Sequence, residues 1–423
     1  MTINNILTQK FSLNPETFLV KGAKRGAIYD LKTGNVYSVD EHAVSLLEEC
    51  EIGLRLEQIL KSRPKDIKIA SIKYLEELVK SDLAYFVSGD RKITKIEIKR
   101  PHPLEFIWLE LTVSCNLKCV HCYSSSTPSA VAVEEKMAIS DWIRVIKESH
   151  KIGCRSIQFI GGEPLTHASQ LRKLITVCRL TGYEFIEVYT NATLIKEEDI
   201  RFFADNNVAI AVSVYSDRKK IHERITRKHG SFDLTITNLK KLVHKNIQTR
   251  VGLTVTRINE DVVEETIEFL RNEVGVNNIK IDVVRPSGRG CNDQLIPVGI
   301  SREYKIHETK FPKCSLDTFR RAKYGHNCFS KEICITASGD VLPCIMEREI
   351  ALGNILNAPL ENILESEMAK QIRHANKDRI EICRDCEYRY CCFDCRPKAR
   401  NLKTASNFYA KPADCLYDPY EGK

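Results

Sequence analysis

Three cysteines within eight residues have the clearest potential for chemistry in this sequence. Cys115, Cys119 and Cys122 are spaced C-x3-C-x2-C. Three thiolates on one short loop can bind three irons of a [4Fe–4S] cluster and leave the fourth iron open to another ligand. A structural metal site is normally closed by a fourth protein ligand, and this loop offers none. The spacing therefore predicts a catalytic cluster, with a zinc site as the alternative.

A second group of cysteines lies near the end of the chain, which has 17 cysteines in all. This group consists of Cys328, Cys334, Cys344, Cys383, Cys386, Cys391, Cys392, Cys395 and Cys415. So many thiols indicate metal or cluster ligation if the compartment keeps them reduced. A zinc knuckle is the alternative for the four residues Cys383, Cys386, Cys392 and Cys395. Five other cysteines lack ligand spacing and are interpreted as buried or inert thiols: Cys50, Cys154, Cys178, Cys291 and Cys314.

The elements that must position the first loop are six β-prone runs separated by helical segments. These runs cover residues 106–113, 156–160, 185–189, 208–215, 250–255 and 279–284. Strands that alternate with helices predict a parallel sheet of βα units. The first cysteine loop directly follows the first run. Because such sheets bind ligands at the carboxyl ends of their strands, we expect a cofactor there.

Composition limits the classes of function. The 423 residues are 43% hydrophobic and 28% charged, which is typical of folded domains. No stretch approaches the roughly 18 apolar residues of a membrane-spanning helix, and the first residues lack the pattern of a signal peptide. We therefore expect a cytoplasmic protein without a membrane partner. The net charge of +8 is spread along the chain and does not by itself indicate a nucleic-acid partner.

Residues 1–95 are predicted to form a separate front module. Two β-prone runs at 26–31 and 35–39 flank a turn and predict a hairpin. Asp40 is the predicted N-cap of the helix that follows. Further helices are expected at residues 56–61 and 67–79, and a basic linker that ends in prolines is expected at residues 91–103.

The first cysteine loop resembles the signature of the radical S-adenosylmethionine (SAM) superfamily, with the sequence Cys115-Asn116-Leu117-Lys118-Cys119-Val120-His121-Cys122-Tyr123. The resemblance implies a partial (β/α)6 TIM-like barrel over residues 104–290. It also implies that the open iron binds SAM, whose cleavage yields a 5′-deoxyadenosyl radical that abstracts hydrogen. The implied SAM contacts are His121, Tyr123, Gly161, Gly162, Glu163, Thr190, Asn191, Ser213, Tyr215 and Arg227. Arg285 and Arg289 are further candidates for the SAM carboxylate, and no catalytic side chain is assigned.

Residues 328–423, which follow a bridging segment at 291–327, resemble the SPASM domain, the twin-cluster extension of radical SAM peptide modifiers. The resemblance assigns one auxiliary [4Fe–4S] cluster to Cys328, Cys334, Cys344 and Cys395. It assigns the other to Cys383, Cys386, Cys392 and Cys415. The gap before Cys395 is one residue shorter than usual, and Cys391 competes with Cys392 as a ligand. Three clusters and SAM are the expected cofactors.

The front module resembles a PqqD-like, winged-helix-like module, the RiPP recognition element, which binds a leader peptide by β-augmentation. Together the resemblances predict an enzyme that installs a thioether or carbon–carbon crosslink in a ribosomally made precursor peptide. Flavodoxin or ferredoxin is the expected electron donor. One alternative is a sulfatase-maturating oxidase, although Ile345 follows Cys344 where that family has an aspartate base. The other is a zinc-stabilised nucleic-acid-binding scaffold, which the glutamates at 48, 49 and 51 disfavour.

Overall fold

The computed structural model describes residues 3–89, 94–100, 104–129, 135–298, 313–400, 408–412 and 415–423. Along the chain, a small front module is followed by a parallel sheet with helices and then by a cysteine-rich tail. The predicted linker and the predicted bridging segment lie partly outside the described residues. Within the described ranges, no helix has both the length and the apolar character needed to cross a membrane.

Among its described residues, the front module contains five short strands and four helices. They are α1 (Ile3–Leu7), β1 (Lys10–Leu13), β2 (Thr17–Lys21), β3 (Gly26–Asp30), β4 (Asn35–Val39), α2 (Glu41–Glu51), α3 (Leu56–Ile59), α4 (Lys65–Lys80) and β5 (Ala84–Val87). The predicted hairpin is confirmed, because β3 and β4 pair in antiparallel register. Asp40 caps α2 as predicted and accepts a hydrogen bond from the Ala43 amide at 2.8 Å. Sequence analysis missed β2, which pairs with β3, and the separate pair of β1 and β5.

The middle region is the partial barrel. Its elements are β6 (Phe106–Glu110), α5 (Ile139–Lys151), β7 (Ser156–Ile160), α6 (Ala168–Thr181), β8 (Phe185–Thr190), α7 (Glu197–Asp205), β9 (Ala209–Ser213), α8 (Lys219–Thr226), α9 (Ser231–His244), β10 (Thr249–Val255), α10 (Val263–Phe269) and β11 (Ile279–Val283). The six predicted strands are confirmed and lie in the order β11-β10-β9-β8-β7-β6, with every neighbouring pair parallel. This sheet is the core of the α/β fold that we expected.

Both faces of the first barrel strand are covered. Ile107 and Leu109 of β6 belong to the large apolar core shared with the helices, and Trp108 packs in a second cluster that contains tail residues. Successive side chains of a strand point to opposite faces, so β6 lies between two layers. Strands that are covered on both faces have apolar residues at consecutive positions. Such runs are easy to recognise in the sequence, which explains why the barrel strands were predicted.

Among the described residues, the bridging segment contributes one helix, and the tail contributes three strands and three helices. They are α11 (Leu316–Tyr324), β12 (Glu332–Ile335), β13 (Asp340–Leu342), β14 (Gly353–Asn354), α12 (Leu360–Glu365), α13 (Glu367–Arg373) and α14 (Arg396–Arg400). β12 pairs in parallel with β6, and β13 and β14 follow it, so the barrel sheet extends to nine strands. Sequence analysis did not predict this addition.

The front module docks on the tail. The Tyr29 hydroxyl donates to the Glu387 carbonyl at 2.8 Å, and the Cys314 amide donates to the Gly34 carbonyl at 2.7 Å. The ring of Phe319 on α11 packs edge-on against Tyr29, with centroids 5.3 Å apart. Because these residues share one buried apolar cluster, the position of the module depends on the tail.

Candidate active site

The first cysteine loop begins directly beyond β6 and is held by backbone hydrogen bonds from two sides. The Lys118 and Val120 amides donate to the carbonyls of Thr226 and Ile225 at the end of α8. On the other side, the Arg289 guanidinium donates to the Cys119 carbonyl at 2.7 Å. The loop conformation is therefore fixed by segments that follow β9 and β11, in addition to its own strand.

The three thiols of this loop lie half-buried beside one another. Burial raises the pKa of Cys115 to about 12, and the nearby Glu163 carboxylate and Cys122 thiol add to this rise. Burial and the thiols of Cys122 and Cys115 also raise the pKa of Cys119. A thiol must lose its proton to bind iron, so the positive iron atoms of a cluster would stabilise the thiolate forms here. Three soft sulfur donors on one loop are chemically suited to that cluster.

The two glycines that follow β7 lie directly against the base of the cysteine loop. Gly161 has φ of +130°, and a Cβ built at Gly162 would lie 2.0 Å from the Ser114 carbonyl oxygen. The Gly162 amide donates to the Thr112 carbonyl at 2.7 Å. Glycine is required here because two backbone segments approach closely.

Glu163 is fully buried, and its carboxylate is occupied by protein donors. One oxygen accepts from the Leu165 amide at 3.0 Å and the Thr190 hydroxyl at 2.7 Å. The other accepts from the Asn191 amide at 2.8 Å. The side chain therefore ties the end of β7 to the end of β8. This geometry differs from the direct SAM contact that the family resemblance implies for Glu163.

Polar groups at the ends of β8 and β9 contact the cysteine loop. The Asn191 amide nitrogen lies 3.9 Å from the Cys115 sulfur and donates to Asn116 at 2.9 Å. The Tyr215 side chain lies beside the thiol of Cys119 and the hydroxyl of Ser213. The structure thus brings Thr190, Asn191, Ser213 and Tyr215 to the sheet edge where we expected them.

Two aromatic residues of the loop have polar atoms available to a bound group. His121 lies edge-on to Tyr215, with ring centroids 4.8 Å apart. Its Nδ1 and the Tyr123 hydroxyl are buried and have no hydrogen-bond partner among the described residues. Burial lowers the pKa of His121 to about 4, so its ring is neutral at pH 7. A ligand with polar groups would satisfy both atoms.

The three arginines considered for the SAM carboxylate lie in different surroundings. Arg227 is exposed at the end of α8, where it adopts φ of +54°. Arg289 is bound to the carbonyls of Cys119 and Ser126. Arg285 donates to the Cys395 sulfur at 3.4 Å and to Asp282 at 2.8 Å. Arg285 therefore contacts a tail cysteine, and only Arg227 is left open toward solvent.

The four cysteines predicted for the first auxiliary cluster come together from separate segments. Burial raises the pKa of Cys328, and the thiols of Cys344 and Cys395 add to the rise. Burial and the Cys395 thiol likewise raise the pKa of Cys344 to about 12. Cys334 on β12 is fully buried and also interacts with Cys344. The four thiols thus form one electrostatically coupled group.

The second predicted set also converges. Burial raises the pKa of Cys383 to about 11, and the thiols of Cys392 and Cys415 add to the rise. Cys386 interacts with Cys392 and Cys383 in the same way. Cys415 therefore lies near the other three, although it follows them by more than twenty positions in the sequence.

Cys391 and Cys392 are neighbours in sequence but lie in different surroundings. Cys391 is 4% exposed within the apolar interface with the front module, where its sulfur lies 3.5 Å from the Tyr29 hydroxyl oxygen. The Lys377 amine donates to the Cys392 sulfur at 3.5 Å. Of the two sulfurs, that of Cys392 is the one within hydrogen-bonding distance of Lys377 among the described residues, so this cation can balance a Cys392 thiolate directly.

The cysteines without ligand spacing fall into two groups. Cys50, Cys154, Cys178 and Cys314 are buried, whereas Cys291 is exposed, so of the two interpretations only that of an inert thiol is left for Cys291. Within the described ranges, no three His, Cys, Asp or Glu side chains stand close enough to hold a single metal ion. The predicted zinc knuckle is therefore not preformed there.

Sequence analysis missed several charged residues around these sites. Nη1 of Arg348 donates to both carboxylate oxygens of Glu110 at the end of β6, at 2.8 and 2.9 Å, and the guanidinium lies over the ring of Tyr123. Asp394 and Lys377 lie beside the second cysteine set. The position of Asp394 within the cysteine run was an available signal, but nothing in the sequence marks Arg348 or Lys377.

Comparison with known families agrees with this geometry. The sequence model of the radical SAM superfamily matches residues 109–270, and that of the SPASM iron–sulfur cluster-binding domain matches residues 328–387. The chain carries a radical SAM domain followed by a SPASM domain. It is therefore an enzyme whose cofactors are SAM and [4Fe–4S] clusters.

Individual proteins resemble the chain over most of its length. AlbA of Bacillus subtilis, an antilisterial bacteriocin subtilosin biosynthesis protein, is 26% identical over 333 residues, which cover 75% of this chain and 71% of AlbA. The AdoMet-dependent heme synthase of Methanosarcina barkeri is 27% identical over 344 residues, covering 73% of this chain and 95% of that protein.

A solved structure resembles nearly the whole chain. Streptococcus suis SuiB bound to S-adenosylmethionine aligns with a TM-score of 0.59 at 16% identity, covering 96% of this chain and 100% of that chain. SuiB bound to the precursor peptide SuiA aligns with a TM-score of 0.58 at 14% identity, with the same coverage. At these identities the likeness shows the fold alone.

Proposed function

We propose that this radical SAM enzyme installs a thioether or carbon–carbon crosslink in a ribosomally made precursor peptide. When bound, SAM and the cluster of the first loop supply the 5′-deoxyadenosyl radical that abstracts hydrogen. The protein binds these groups, orients them and excludes water. Similarity to a bacteriocin biosynthesis protein and to a structure that holds a precursor peptide supports a peptide substrate.

The observation that carries this proposal is the free edge of β4 in the front module. The edge of β2 is partly covered, because the Lys95 amine donates to the Thr17 carbonyl at 2.7 Å and the Ile96 amide donates to the Pro15 carbonyl. β4 pairs only with β3 among the described residues, and Tyr37 on it is 41% exposed. A leader peptide can add a strand to such an edge, and this supports a PqqD-like recognition element.

We infer that Cys115, Cys119 and Cys122 hold the SAM-binding cluster. The first auxiliary cluster is assigned to Cys328, Cys334, Cys344 and Cys395, and the second to Cys383, Cys386, Cys392 and Cys415. Three such clusters correspond to about 12 iron atoms per chain. Flavodoxin or ferredoxin would deliver the electrons, and a cytoplasmic setting would keep the thiols reduced.

The residues around the first loop are proposed to bind SAM in two ways. Direct contacts would come from His121, Tyr123, Gly161, Gly162, Asn191, Ser213, Tyr215 and Arg227. Glu163 and Thr190 instead hydrogen-bond each other at 2.7 Å, so we assign them the role of fixing the glycine backbone. Holding reacting groups in position in this way contributes strongly to catalysis.

Leader binding is tested in the full-length enzyme with the precursor peptide encoded nearest to its gene. Tyr37→Glu places a charge beside the free β4 edge and should weaken binding of a fluorescent leader by about tenfold, or about 1.4 kcal/mol. Leu180→Glu is the matched control, because Leu180 is 84% exposed on α6 of the barrel. Equal affinities for both variants, with crosslinked product unchanged by mass spectrometry, would contradict the proposal.

A small-molecule substrate is the second candidate, supported by the likeness to the heme synthase. Incubating the reconstituted enzyme separately with a tetrapyrrole, a sulfatase cysteine peptide and the precursor peptide distinguishes the candidates. If the only product formed is a modified tetrapyrrole, or the only product is a formylglycine peptide, the crosslinking proposal is wrong and that activity takes its place.

Iron and sulfide analysis tests the zinc scaffold, since that alternative requires zinc without sulfide.

A further inference from the structure

A buried charged group lies beside the tail cysteines. The carboxylate of Asp394 pairs with the guanidinium of Arg396 and with the amine of Lys377, the latter at 3.4 Å. It also lies 2.9 Å from Nε2 of His326. Since Nδ1 of His326 accepts from the Cys328 amide at 3.3 Å, its proton is on Nε2 and points at Asp394. All three partners of this carboxylate are therefore donors.

The charges of this group do not balance without a thiolate. Asp394 contributes one negative charge, whereas Lys377 and Arg396 contribute two positive charges, and all three residues are at most 6% exposed. The ring of His326 accepts a hydrogen bond at Nδ1 and donates one at Nε2, so it is neutral in this arrangement and adds no charge. Buried ions need a partner of opposite sign. The Cys392 sulfur, 3.5 Å from the Lys377 amine, can supply that charge when it is deprotonated.

We propose that Lys377, held by Asp394, donates a charged hydrogen bond to Cys392 and thereby raises the reduction potential of the second auxiliary cluster. This inference rests on the assignment of that cluster to the tail. Hydrogen bonds to ligand sulfurs and net local charge set the potentials of iron–sulfur clusters. A cation beside the ligand stabilises the reduced, more negative cluster relative to the oxidised one.

Arg285 makes a similar contact to a cysteine assigned to the first auxiliary cluster. Its guanidinium donates to the Cys395 sulfur at 3.4 Å, but Asp282 at 2.8 Å balances its charge. Each of these two cations, Lys377 buried and Arg285 half-buried, therefore contacts one ligand of one cluster. Neutralising each of them separately should move the potential of a different cluster.

The test uses full-length enzyme reconstituted anaerobically, without any peptide, and a redox titration followed by electron paramagnetic resonance. A Cys383→Ala variant identifies the signal of the second auxiliary cluster. Lys377→Met should shift the midpoint potential of that signal downward, and Lys377→Arg should restore most of the shift. Arg285→Met should leave that signal in place and shift the first auxiliary signal downward.

Several results would overturn the inference. One is an unchanged second midpoint in iron-replete Lys377→Met, and another is a shift confined to the first auxiliary cluster. Loss of about four irons from Lys377→Met but not from Lys377→Arg would support charge compensation, whereas equal loss from both would assign Lys377 a packing role. Because no peptide is present, failure here is distinct from failure of the crosslinking proposal.

Discussion

The barrel and the tail gather their cysteines in opposite ways. The barrel places three thiols on one loop of eight residues, whereas the tail assembles two sets from segments between positions 328 and 415. Closing a short loop costs little entropy, whereas joining remote segments requires a folded scaffold. The barrel site is thus a local feature held in place by the sheet, and the tail sites are products of the tertiary fold.

The largest expected effect is on the local site. Cys119→Ala should abolish 5′-deoxyadenosine formation, because the loop would have two thiolates left for a cluster that needs three. Chromatography of the reaction products measures this loss. Cys291→Ala removes an exposed cysteine and should leave the rate unchanged. Equal rates in both variants would show that the first loop is not the site of SAM cleavage.

Substitution of the glycine backbone beside the loop should have the next largest effect. Gly162→Ala places a Cβ 2.0 Å from the Ser114 carbonyl oxygen and should displace the base of the cysteine loop. Misplacement by about 1 Å can cost on the order of 100-fold in rate. Gly230→Ala is the control, because its Cβ would meet nothing within 4 Å. The backbone at Gly230 has φ of +77°, so we expect this variant to lose about 1 kcal/mol of stability. Its rate of SAM cleavage should stay near normal. Similar rates for both would argue against close approach as the reason for Gly162.

Substitution of a tail cysteine should affect the tail cluster without abolishing the chemistry of the barrel site. Cys392→Ala should remove about four irons yet leave SAM cleavage without peptide measurable, because the barrel loop is held by its own hydrogen bonds. Cys391→Ala should keep all the iron and lower the melting temperature, since it removes about 1 kcal/mol of buried apolar contact. Iron analysis and thermal unfolding measure the two effects. Loss of iron only from the Cys391 variant would reverse the assignment.

The smallest effect is expected at the interface between the front module and the tail. Tyr29→Phe removes the hydrogen bond to the Glu387 carbonyl and should cost about 1 kcal/mol. Limited proteolysis should then cut the chain faster between the module and the barrel. Tyr37→Phe is the control, because Tyr37 is exposed. Equal cleavage rates for the Tyr29→Phe and Tyr37→Phe variants would mean that the Tyr29 hydrogen bond does not stabilise the docking of the front module.

The contrast between local and remote sites also explains what the sequence could predict. The barrel strands and the first cysteine loop were predictable, because each depends on a short run of neighbouring residues. β12 was not, since four residues carry too little periodicity to mark a strand. Spacing alone could not distinguish Cys391 from Cys392, because only the fold turns one toward Tyr29 and the other toward Lys377.

Side-chain partners were the least predictable part of the site. We expected the Glu163 carboxylate to face a ligand, but the amide of Asn191 and the hydroxyl of Thr190 occupy it. Arg285 was a candidate for the SAM carboxylate, but it donates to Cys395. In both cases the deciding partner comes from a distant segment, so no local pattern could reveal it.

The pairing of β12 with β6 limits how this protein can be dissected. Because Glu332–Ile335 hydrogen-bonds along Phe106–Glu110, a truncation before residue 328 would uncover a five-residue strand edge. Unprotected edges of this kind act as templates for aggregation. The catalytic barrel therefore cannot be separated from its tail as an interchangeable cassette, and an exchange of tails between such enzymes would have to preserve this strand.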